Sequence, residues 1–103
     1  MRKNPNRKEG GMPDPSDLEV RRKRAYFNSW HRGTREMDLL IGGFAEENLA
    51  SLTAEELGRY EQLLQLPDSD LYAWITGQAD IPQELDSKLL RELCKYRVDL
   101  VNR

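Results

Sequence analysis

Very little in this chain is equipped for covalent or metal chemistry: there is one cysteine, Cys94, and one histidine, His31. A lone cysteine cannot close an internal disulfide, and a single imidazole beside a single thiol is too sparse for a zinc cluster. No apolar run approaches the roughly 18 residues that a membrane-spanning helix needs. Basic residues are almost missing from the middle, where Arg59 stands alone between Glu36 and Asp86. That argues against a nucleic-acid grip over most of the surface. Neither a phosphate-cradling glycine loop nor a dinucleotide fingerprint is present, so the residues do not support stable nucleotide binding by the free chain.

What is present suits one small domain. The chain has 103 residues, 38% hydrophobic and 33% charged, with a mean hydropathy of −0.80, the balance of a soluble domain with a wide solvated surface. The net charge of −2 is unevenly spread. Residues 1–24 hold eight Lys/Arg against four Asp/Glu, and residues 25–103 hold eight against fourteen. Met1 to Ser16 carries Pro5, Pro13 and Pro15 with Gly10-Gly11 and few apolar side chains. Such a stretch cannot repay the entropy of ordering and is expected to be a flexible tail, 1–16, ahead of a helical domain, 17–103. It also lacks the apolar run of a secretory signal and the acid-poor amphipathic pattern of a transit peptide, which favours a bacterial cytoplasm over a mitochondrial matrix.

The apolar spacing predicts an all-α fold, a compact bundle of five helices in a single small domain. The first helix is expected from about Asp17 to Trp30, with Leu18, Tyr26, Phe27 and Trp30 as its apolar positions. The second should run from about Gly33 to Asn48 on Met37, Leu40, Ile41 and Phe44, with Gly42-Gly43 as a place for a bend or a close approach. Thr53-Ala54-Glu55-Glu56 reads as a capping box that opens a third helix reaching about Leu66, where Pro67 stops it. A short fourth helix is expected from about Ser69 to Thr76, with Leu71, Trp74 and Ile75 inward. The fifth should span about Gln83 to Val98 on Leu85, Leu89, Leu90, Leu93 and Tyr96. Cys94 falls within that last stripe and reads as a small core residue.

The segment Ser29-Trp30-His31-Arg32-Gly33-Thr34-Arg35-Glu36-Met37-Asp38 stands out. On a helix beginning near Gly33, Arg32 and Arg35 would sit where the macrodipole is already positive and a cation is mildly disfavoured. Arg32-Gly33-x-x-Glu36, with Asp38 after it and Tyr26 and Ser29 before it, resembles the RGxxE signature of the FAD assembly factors of succinate dehydrogenase (the SdhE family). The stretch Leu63-Leu64-Gln65-Leu66-Pro67-Asp68-Ser69-Asp70-Leu71-Tyr72-Ala73-Trp74-Ile75 is similar to that family's second marker, so the likeness runs from about Arg21 to Val98. The resemblance implies a chaperone-like helper, not an enzyme, that binds the flavoprotein subunit of succinate dehydrogenase and promotes covalent attachment of FAD to it. A fumarate reductase flavoprotein is a second candidate partner. FAD would stay with the partner, no cofactor being bound stably by the helper, and the helper would act as a monomer, in the mitochondrial matrix if eukaryotic.

Read without that resemblance, Arg32 and Glu36 are four apart and could form an exposed ion pair worth about 0.3–0.5 kcal/mol. With it, Arg32 offers a planar fork of donors to a partner, Gly33 permits close approach of another backbone, and Glu36 aligns or accepts. Tyr26, Ser29, His31, Arg35 and Asp38 are candidate rim contacts. Trp74 is expected to be a core plug. Two other classes stay open on the residues alone: a helical regulator of antitoxin type, and a nucleic-acid binder using Arg21-Arg22-Lys23-Arg24.

Overall fold

A computed structural model describes residues 17–102, so the expected tail 1–16 lies outside the described residues. Five α-helices follow in order: α1 Leu18–Trp30, α2 Arg35–Asn48, α3 Ala54–Leu63, α4 Asp68–Ile75 and α5 Lys88–Val101. Short 3-10 turns at Leu49–Ser51 and Gln83–Leu85 complete the path, and no strand occurs among the described residues.

Four of the five α-helices start at a side-chain cap, and α4 follows Pro67 without one. The Asp17 side chain accepts from Glu19 N–H at the head of α1. Thr34 caps α2 by accepting from Met37 N–H at 3.2 Å, and Ser87 caps α5 by accepting from Leu90 N–H at 3.1 Å. Before α3 the predicted capping box is complete: Glu56 N–H donates to Thr53 Oγ1 at 3.1 Å while Thr53 N–H donates to Glu56 Oε1 at 2.9 Å. These bonds satisfy donors that a helix leaves orphaned in its first turn. The backbone N–H of Thr53 also holds the Glu56 carboxyl below its usual pKa.

The core is a single apolar cluster. Helix α2 contributes Met37, Leu40, Ile41, Phe44 and Ala45, spaced i, i+3, i+4, i+7, i+8, and all are buried. Leu57, Tyr60 and Leu63 come from α3, Leu71 and Ile75 from α4, and Leu89, Leu90 and Leu93 from α5. Removing such side chains from water is worth about 1.5–3 kcal/mol apiece.

Helices α1 and α2 run antiparallel and close together. Tyr26 hydroxyl donates to Glu46 Oε1 at 2.7 Å, and Arg22 Nη1 donates to the Leu49 carbonyl at 2.8 Å, beyond the end of α2. Helix α2 runs unbroken through the Gly42-Gly43 pair, which admits close neighbours on both sides. A Cβ on Gly42 would lie 2.7 Å from Trp30 Cε2, and one on Gly43 would lie 3.2 Å from Tyr96 Cζ. Tyr96 meets Phe44 edge to face, with centroids 6.0 Å apart. Helix α4 is tied to α5 where Cys94 Sγ points to the Trp74 carbonyl at 3.7 Å.

Several expected boundaries and faces differ. Helix α2 starts two residues later than expected, because Thr34 caps it and Gly33 takes φ +111° ahead of it. Helix α3 ends at Leu63, and α5 begins only at Lys88, which leaves Leu85 in a 3-10 turn and 36% exposed. The buried face of α1 is made by Ala25 and Ser29, whereas Tyr26 and Phe27 are 42% and 58% exposed. Small residues let α1 approach its neighbours, so the aromatic positions are turned outward. Trp74 is half-buried.

Candidate protein-docking site at the α1–α2 turn

The turn 31–34 joins two antiparallel helices and is fixed from beneath by Arg32. Its guanidinium donates from Nε and Nη2 to Asp68 Oδ1 at 3.1 and 2.7 Å, from Nη2 to the Leu64 carbonyl at 3.0 Å and from Nη1 to the Asn28 carbonyl at 3.3 Å. Only 10% of the Arg32 side chain is exposed. The fork therefore clamps the α1 end to the α3–α4 junction; it does not reach across to Glu36. The expected Arg32–Glu36 pairing needs both residues on one helix, and Arg32 precedes α2.

Asp38 also works inward. Its Oδ1 accepts from the Arg32 backbone N–H at 2.5 Å, and its own N–H donates to the Thr34 carbonyl at 2.9 Å. Ser29, expected at the rim, is fully buried: its Oγ donates to the Ala25 carbonyl at 2.7 Å and accepts from Tyr60 hydroxyl at 2.6 Å. Since one hydroxyl hydrogen serves Ala25, the Tyr60 proton is the one between the two oxygens. Burial pushes the Tyr60 pKa up to about 12.

With Arg32, Asp38 and Ser29 used as internal ties, the outward set is His31, Gly33, Thr34, Arg35 and Glu36. Gly33 is exposed, and a Cβ there would meet nothing within 4 Å. The backbone at this point is bare and open to an incoming surface, while its positive φ is one that L side chains rarely adopt. Glu36 is exposed and has no ion pair among the described residues. Beside it opens a recess of about 380 Å³ lined by Thr34, Glu36, Met37, Asp68, Ser69 and Tyr72. Its lining combines the Glu36 and Asp68 carboxylates with the apolar Met37 side chain and the Tyr72 ring, a mixture suited to a side chain from another protein.

His31 is held rather than loose. Its Nδ1–H donates to the Phe27 carbonyl at 2.7 Å and its ring stacks on Phe27 at 3.9 Å between centroids. Phe27 is a surface residue that ranking side chains by size assigns to the core. The signal that finds it is the pairing of small residues Ala25 and Ser29 at i, i+4, which marks the close-packed side of α1 and leaves Phe27 opposite. The basic run also divides: Arg21 forms a two-pronged pair with Glu61, with Nη2 at 2.8 Å, and Arg22 is tied to Leu49, leaving Lys23 and Arg24 outward.

The chain is similar to several known proteins. The family Sdh5, described as flavinator of succinate dehydrogenase, matches residues 23–97. The FAD assembly factor SdhE of Acetobacter pasteurianus is 44% identical over 77 residues, which cover 75% of this chain and 71% of that protein. The mitochondrial succinate dehydrogenase assembly factor 2 of Dictyostelium discoideum is 41% identical over 76 residues, 74% of this chain and 54% of its own length. That of Scheffersomyces stipitis is 38% identical over 97 residues, 90% of this chain and 62% of its own. The chain thus spans a little over half the length of these two mitochondrial relatives. With the match covering the clamp, the turn and the helices that hold them, this chain belongs to the Sdh5 family of succinate dehydrogenase flavinators.

Proposed function

We propose that the α1–α2 turn docks on the flavoprotein subunit of succinate dehydrogenase and promotes covalent attachment of FAD to that subunit. The observation that carries this reading is the division of labour in the motif: Arg32 and Asp38 fix the turn from inside, and Gly33 and Glu36 are left bare on its outer edge. A fixed, open backbone beside a carboxylate with no ion pair among the described residues suits recognition of another folded protein, because little conformational freedom is lost on binding.

The helper supplies geometry and no acid, base or nucleophile. It favours a flavoprotein conformation in which the acceptor side chain and the flavin are aligned, and orientation alone can lower such a barrier by several kcal/mol, within the roughly 7–11 kcal/mol available to well-placed reactants. FAD remains in the partner throughout. A fumarate reductase flavoprotein is a second client, the helper acts as a monomer, and the working compartment is the bacterial cytoplasm, or the mitochondrial matrix in a eukaryote.

Co-expression of the flavoprotein with wild type, Glu36→Ala, Gly33→Arg and Arg32→Ala tests this, with covalent flavin read by fluorescence in a denaturing gel. Glu36→Ala is the cleanest variant, since no ion pair among the described residues is lost. Flavinylation equal to wild type in every folded variant would remove the reading.

A further inference from the structure

We propose that the outer face of α1, with Phe27 as its anchor and Lys23 and Arg24 as its flanks, is a second docking element for the same flavoprotein. The matching surface on the partner is a shallow apolar pocket ringed by carboxylates. This extension rests on the docking reading above.

Four observations support it. Phe27 lies opposite the buried Ala25–Ser29 side of α1 and is 58% exposed, so it contributes little to the core. It is pre-set for contact, because His31 stacks on its ring at 3.9 Å and donates to its carbonyl at 2.7 Å. An aromatic side chain held in one place loses little freedom when it fills a pocket, which is how binding anchors act. Lys23 and Arg24, one helical turn or less away, are exposed and have no carboxylate partner among the described residues, unlike Arg21, which is paired to Glu61. His31 adjoins Arg32-Gly33 in the chain, so this face is continuous with the turn and a single partner surface can cover both.

The charge pattern selects the partner's chemistry. Two outward cations beside a ring complement an acidic rim around an apolar floor, and such complementarity speeds encounter and makes affinity fall with salt. Phosphate-rich nucleic acid would meet the same two cations. Single strands also stack bases on exposed aromatic rings, but one face of Phe27 is already taken by His31, and Arg21 and Arg22, the other two residues of the basic run, are bonded to Glu61 and Leu49 of this fold.

Binding of the purified flavoprotein subunit, measured by calorimetry at 50 and 300 mM NaCl, decides the matter. Phe27→Ala should weaken binding at least tenfold with the melting temperature unchanged, and Phe27→Leu should recover most of the loss. The double charge reversal Lys23→Glu/Arg24→Glu should weaken it by a similar factor and flatten the salt dependence. Wild-type affinity in Phe27→Ala and in the double reversal, while Gly33→Arg abolishes binding, would overturn the α1 face and leave the turn reading intact. Absence of binding by the wild type would remove both. Charge reversal that abolishes RNA binding without touching flavoprotein affinity would overturn the proposal in favour of nucleic acid.

Discussion

Replacing Arg32 by alanine should damage the fold before it damages any interface. The guanidinium is 10% exposed and makes four hydrogen bonds: two to Asp68 Oδ1, one to the Leu64 carbonyl and one to the Asn28 carbonyl. Truncation strands a carboxylate and two carbonyls that face the vacated space. Loss of one partner from a fully buried pair costs about 3–5 kcal/mol, but Asp68 is 28% exposed and water can reach it. We therefore expect a loss of about 2–3 kcal/mol, in line with hydrogen bonds to charged groups. In a domain of this size each kcal/mol moves the melting temperature by about 4–8 °C, so Arg32→Ala should melt roughly 10–20 °C below wild type. Arg32→Lys keeps the charge but loses the fork and should fall between the two. The assay is thermal and urea unfolding by circular dichroism, with Asp68→Ala and the double variant completing a cycle. A coupling of about 1–2 kcal/mol is expected between residues that share these bonds. A melting point for Arg32→Ala within about 2 °C of wild type, or strictly additive effects in the cycle, would refute the clamp. The result also bears on function, because lost flavinylation in Arg32→Ala cells is then first a loss of folded helper.

Other consequences are as direct. Gly42→Ala places a methyl group against the Trp30 ring and should cost about 1–3 kcal/mol by denaturant unfolding, since neither the helix backbone nor the indole can retreat freely. Gly33→Ala meets no neighbour but must hold φ +111°, so about 1–3 kcal/mol of stability should be lost through backbone strain alone, measurable in the same titration. Tyr60 should make the fold sensitive to alkali. Its pKa is about 12 folded and about 10 unfolded, so the native state holds more protons between those values. Stability is full below pH 10 and should fall by about 2–3 kcal/mol as pH rises to 12, a decline that Tyr60→Phe removes. Thr53→Ala opens the capping box and should cost about 1 kcal/mol, readable as a small fall in urea midpoint.

Features whose partners lie within one helical turn were legible without coordinates. The Thr53–Glu56 box and the α2 stripe from Met37 to Phe44 are set by backbone geometry and 3.6-residue periodicity, and both occur where their spacing puts them. Pro67 is not the stop it was expected to be: α3 gives out at Leu63, three residues before the expected Leu66, and Pro67 stands instead as the N-cap of α4. The motif that drew attention to residues 32–38 was visible too, and so was the family it points to.

What each motif residue does was a tertiary matter. Arg32 finds Asp68, 36 positions away, and the Leu64 carbonyl, 32 away, and no local pattern announces either. Ser29 turns inward because Tyr60 waits across the core, and Phe27 turns outward because Ala25 and Ser29 take the close-packed side of α1. A helix's periodicity states which residues share a face. Which face is buried depends on how near its neighbours can come, and here Gly42 on another helix and the small residues of α1 decide it together. The amino-acid order by itself determined five helices, the capping box of one of them and a conspicuous turn; only packing decided that the arginine of that turn is its fastener and the glycine and glutamate its exposed edge.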